Sequence, residues 1–172
     1  DIRWLSFGSC IERLLGQWDA LKLYFTSQYL VDRLQSSQFL FEQLSSAITK
    51  LHFTFLNYIL SLVNKLNVIF QCDSSYSQVY SNCLSAYKSI FSCFVKPALL
   101  KGDVALIDVW SPANHLALAQ LYIATYAARL LVSDAYKNVG KEMINECLQR
   151  CQQFLIELCF QLKKRSPFDD PL

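Results

Sequence analysis

Between Leu51 and Cys72, Lys65 is the only Lys, Arg, Asp or Glu. Upstream and through this run, Leu40, Leu44, Ala47/Ile48, Leu51, Phe55, Ile59, Leu62, Leu66 and Ile69 recur at helical spacing. Phe53, Leu56, Leu60 and Val63 add a second apolar stripe beside the first. A helix that is apolar nearly all round must be covered by other elements. The pattern therefore predicts a central, buried helical segment over about residues 39–72. It also predicts one break in that segment, because a single helix of such length is unusual in a globular domain. Asn57, Asn64, Lys65 and Asn67 interrupt the run too often for a membrane span.

The flanking segments carry the same period. Cys10, Ile11, Leu14, Leu15 and Trp18 form a first stripe, with Ser6 placed to cap it, and Leu21, Tyr24 and Phe25 continue that face. Polar breaks follow near Ser27 and Gln28 and again at Gln35 to Gln38. "CDSSY" reads as a stop and restart, with Asp73 or Ser74 as cap. Tyr76, Val79/Tyr80, Cys83/Leu84, Tyr87, Ile90/Phe91 and Phe94 then run to Lys96-Pro97, where the helix should end.

Residues from Pro97 to Asn114 hold two prolines, a glycine and no sustained period, as a connector does. Leu116 to Val132 reads as a helix with a blurred face. A last helix is expected from Tyr136 to Lys164 on Val139, Met143, Cys147, Cys151, Phe154/Leu155, Leu158 and Leu162. Lys163, Lys164 and Arg165 suit the negative end of its dipole, and Ser166-Pro167 stops it. No stretch alternates as a strand would. The expectation is one all-α domain, an irregular bundle of five to seven helices around a long buried central helix.

Chemistry is sparse at this level. There is no Gly-rich phosphate loop and no His-Glu-x-x-His, and "SFGSC" lies within a helical pattern, not after a strand. Of the seven cysteines, Cys10, Cys72, Cys83, Cys93, Cys147, Cys151 and Cys159, no two form Cys-x-x-Cys. His52 and His115 stand outside any cysteine spacing typical of zinc. The thiols are expected to be reduced, intracellular core residues, His52 a satisfied structural histidine and His115 a solvent-exposed one. Glu142 and Glu146 read as a solvated helix face, and Asp169-Asp170 as turn residues. No catalytic, metal or cofactor set is nominated, and no enzymatic activity is expected of these residues alone. A net charge of +2 is too small to mark a nucleic-acid footprint.

Three stretches, in order along the chain, carry a resemblance. "RWLSFGSCIERLLGQWDALKLYF" resembles the Arg-Trp-Leu-Ser segment of hAT-superfamily transposases and their domesticated descendants. "NKLNVIFQCD" is similar to a run in the middle of the same region, and "QLKKRSPFDDPL" to the segment that closes it. The resemblance implies the large helical insertion of an RNase-H-like transposase domain. It also implies catalytic aspartates before Asp1 and a catalytic glutamate beyond Leu172, so that no residue here matches the catalytic three. The family's zinc finger and dimerisation segment are not matched either.

By the same resemblance Trp4 is DNA-proximal, near a base or hairpin end, with Arg3 as a phosphate contact or an ion-pair partner. The implied setting is nuclear. The implied partners are the remainder of a longer transposase-like protein, DNA through that protein, or a second copy, and no membrane. A charged fraction of 17% against 53% apolar residues fits a domain whose faces press on a neighbour. The alternative expectation is a free-standing helical adaptor that binds a partner helix.

Overall fold

Leu51, Phe55 and Ile59 recur at intervals of four on one helix face, and all three are sealed from solvent. They belong to α4 (Ala47–Gln71), the central helix of a computed structural model that describes residues 2–32, 35–71 and 76–165. The other helices are α1 (Ile2–Gly16), α2 (Trp18–Asp32), α3 (Gln35–Ser45), α5 (Tyr76–Phe91), α6 (Thr125–Leu131) and α7 (Lys141–Arg165). Among the described residues there is no strand, only one isolated antiparallel bridge between Val95 and His115. The protein is an all-α bundle with a long buried helix at its centre.

The core lies where α4, α5 and α7 meet. Tyr87, Ile90 and Phe91 come from α5, and Leu155 and Cys159 from α7. Phe91 stacks on Tyr87 at 5.3 Å and meets Phe94 edge-on at 5.5 Å. Such aromatic pairs add about 0.5–1.5 kcal/mol beyond the area they bury.

The expected break in the central segment falls at Ser46. Its hydroxyl accepts from the Thr49 amide at 3.2 Å, an N-cap to the third helical residue of α4. Thr49 donates its own hydroxyl back to Gln43 Oε1 at 3.1 Å, which spans the joint.

Elsewhere the boundaries differ from the sequence expectation. The first apolar stripe is divided at Gln17 into α1 and α2. Ser6 lies inside α1 and does not cap it, because the helix already runs from Ile2. Gly8, within "SFGSC", lets α1 approach α4: a Cβ there would stand 2.6 Å from Asn64 Nδ2. The proposed cap at Asp73 or Ser74 lies outside the described residues, as do Cys72, Ser166-Pro167 and Asp169-Asp170.

Within the segment 116–132 only Thr125–Leu131 is α-helix. The segment makes a 3₁₀ turn at Leu118–Gln120, runs extended to Ala124 and enters α6 only at Thr125. The reason is a tertiary pairing that periodicity cannot register. Leu116 N donates to Phe94 O at 2.7 Å and Tyr122 N to Cys93 O at 2.9 Å. The passing chain thus satisfies carbonyls just past the end of α5, which that helix leaves unpaired. Likewise α7 begins at Lys141 and not at Tyr136, which instead closes a 3₁₀ turn and donates its hydroxyl to Ala47 O at 2.5 Å.

Candidate metal centre

Cys147 and Cys151 are one helical turn apart on α7, and both are buried. That spacing places two sulfurs on one face of the helix. His52, in the second turn of α4, faces the same point. One ring nitrogen of His52 and the two sulfurs all lie within 4.8 Å of one another. Among the described residues this is the one group of three or more His, Cys, Asp or Glu side chains that converge in this way.

The electrostatics of the three are unequal. The Cys147 thiol is held well below the usual thiol range because Cys151 and then His52 hydrogen-bond to it, which outweighs the effect of its burial. The same hydrogen bond between the two cysteines and then burial push the Cys151 thiol up. His52 is half-buried, yet its Nε2 is shut off from solvent and has no hydrogen-bond partner. A buried nitrogen without a partner is costly unless something else engages it.

The sequence expectation is a satisfied structural His52; in the structure its Nε2 has no hydrogen-bond partner and its ring stands beside two cysteines. Cysteine spacing along the chain is blind to a histidine 95 positions upstream. The available signal was the Cys-x-x-x-Cys on the buried stripe of α7, together with a histidine on the most apolar helix. The expectation of buried thiols holds for Cys83, Cys93, Cys147, Cys151 and Cys159, whereas Cys10 is exposed.

His115 also departs from expectation. Its Nε2 donates to the Val109 carbonyl at 2.8 Å, and its ring meets Phe94 at 5.4 Å, so it is a half-buried pin inside the connector. Arg3 and Trp4 lie at the start of α1, and their side chains fall outside the described residues. Glu142 and Glu146 are exposed on α7.

A second surface stands apart from the triad. On α2, Leu23, Tyr24, Leu30 and Val31 are 72, 56, 71 and 74% exposed. At 3.6 residues per turn they occupy one arc of about 120°, which also holds Ala20 and Ser27. The opposite face of α2 packs on α3, where Tyr29 stacks on Phe41 at 5.6 Å and 9°.

No protein family, no curated protein and no solved structure matches this chain. Among the described residues no helix is long and apolar enough to cross a membrane.

Proposed function

We propose that this chain is a helical scaffold module, the insertion domain of a hAT-transposase-like protein, which positions other parts of that protein and has no catalytic role alone. The observation that carries the reading is the exposed stripe on α2. An amphipathic helix normally buries such an arc, and a large apolar patch on a surface marks an interaction site. Under this reading the occupant is the remainder of the transposase-like protein. The resemblance of the three sequence stretches supplies that identity.

The test expresses the flanking parts of the parent gene as a separate polypeptide and measures their capture by this domain. Leu23→Glu with Leu30→Glu should abolish capture while the helical circular dichroism is kept. Light scattering that shows a monomer up to hundreds of micromolar, with no dye-detected apolar surface, would count decisively against the reading.

In the same proposal Trp4 and Arg3 face DNA within the parent. Stacking one base on an aromatic is worth about 1–3 kcal/mol. Trp4→Ala in the parent should therefore weaken hairpin-end binding at unchanged melting temperature. Lost stability with preserved DNA affinity would make Trp4 a packing residue.

One feature supports the adaptor alternative. A groove of about 360 Å³ between α4 and α7 is lined by Ile59, Leu60, Val63, Phe154 and Leu158. That lining suits an amphipathic helix. A peptide ligand displaced by Val63→Glu, in a parent that lacks RNase-H-like acidic residues, would favour it over the transposase reading.

A further inference from the structure

We infer that His52, Cys147 and Cys151 form a zinc site that clamps α4 to α7. Two sulfurs and one imidazole nitrogen are a borderline-soft donor set, which suits zinc and disfavours magnesium or calcium, whose ligands are oxygens. In a tetrahedral site with Zn–S of about 2.3 Å and Zn–N of about 2.0 Å, donor atoms stand roughly 3.5–3.8 Å apart. The three donors here already lie within 4.8 Å of one another. Closure therefore asks for no more than about 1 Å of side-chain adjustment, within reach of small χ1 changes.

The surroundings favour a real site over a chance meeting. Both cysteines are buried on α7, in the same core as Leu148 and Leu155. Their helix holds the Cys–Cys geometry, and α4 holds the histidine. The buried Nε2 without a partner means that the ring's polarity is not yet fully used. On zinc the two cysteines bind as thiolates and the histidine as a neutral imidazole, with the displaced protons released to solvent. Three protein donors leave the fourth tetrahedral position to a non-protein ligand, as in zinc sites that hold water.

The site does not depend on the parent protein's identity, and a scaffold or an adaptor could equally contain it. Its consequence is mechanical. Bringing α4 and α7 under one ion fixes the two helices that also border the apolar groove.

The experiment titrates the reduced chain with Co²⁺ and then with Zn²⁺. Cobalt should bind at one equivalent and give thiolate-to-metal charge-transfer bands with tetrahedral d–d intensity, and zinc should bleach them. At zinc a hundredfold above its dissociation constant, the melting temperature should rise by about 5–10 °C. Cys147→Ser, Cys151→Ser and His52→Gln should each weaken zinc binding at least tenfold, whereas Cys10→Ser should not. The cobalt spectrum of the unsubstituted chain reads its thiolate ligands directly, so the test stands even where a variant folds poorly. Absence of the charge-transfer bands, a melting temperature that zinc does not move, or zinc affinity unaffected in the Cys147→Ser, Cys151→Ser double variant overturns the inference.

Discussion

Replacing Trp18 should loosen the joint between the N-terminal helices and the bundle. Trp18 is 3% exposed, packs against Phe53 at 6.0 Å and donates its indole N–H to Leu44 O at 3.1 Å. Leu44 lies in the last turn of α3, whose final four carbonyls have no partner within the helix. Trp18→Phe keeps a ring but removes the donor, and leaving a buried carbonyl unpaired costs about 1–3 kcal/mol. With some lost packing the expected cost is about 2 kcal/mol. Trp18→Ala should cost about 4 kcal/mol, in the range for large aromatics removed from a core.

For a chain of this length each kcal/mol shifts the melting temperature by about 2–4 °C. The expected falls are thus about 6 °C and about 12 °C. The Lys50 ammonium over the indole, 5.7 Å from its centroid, is a smaller contribution that Phe largely retains. Asp19, which pairs with Lys50 at 3.5 Å but is largely exposed, provides the control. Asp19→Ala should change stability by less than about 1 kcal/mol. Thermal and denaturant melts followed by far-ultraviolet circular dichroism measure all three. A Trp18→Phe protein within about 0.5 kcal/mol of the original would refute the assigned hydrogen bond.

Two further predictions concern charge and backbone. Burial pushes the Cys93 thiol from 9.0 up to about 11, and the Tyr58 and Tyr136 hydroxyls from 10.0 up to about 12. Each is an acid that the native chain keeps protonated to higher pH than the unfolded chain does, so stability should be fully present below pH 9 and fall between pH 9 and 12. Melting temperatures taken at one-unit steps through that window check this, and a flat profile sinks it. Ala124, which enters α6 at φ 80° and ψ 149°, occupies a region that only glycine visits freely. Ala124→Gly should raise stability by about 1 kcal/mol, because relieved strain of about 1–3 kcal/mol outweighs the extra chain entropy of glycine. Chemical denaturation that shows a loss instead would show that Ala124 carries no such strain.

The helical class and the central helix were readable along the chain, because both follow from local periodicity. Leu51, Phe55, Ile59, Tyr87, Ile90 and Leu155 declare their burial through i, i+3 and i+4 recurrence, which depends on nothing beyond 3.6 residues per turn. The break at Ser46 was foreseen as an event but not as a place, since a capping hydroxyl acts only once the chain has turned. The extended run before α6 was not legible at all. Its apolar residues look helical, and only the carbonyls of Cys93 and Phe94, brought alongside by packing, draw the backbone out. The same holds for the candidate metal centre. Sequence spacing places Cys147 and Cys151 on one face, whereas the third donor is reached across the α4–α7 contact. Local pattern determines which face of each helix is apolar; which side chains from distant helices share a point depends on how those faces cross, and only the tertiary packing decides that.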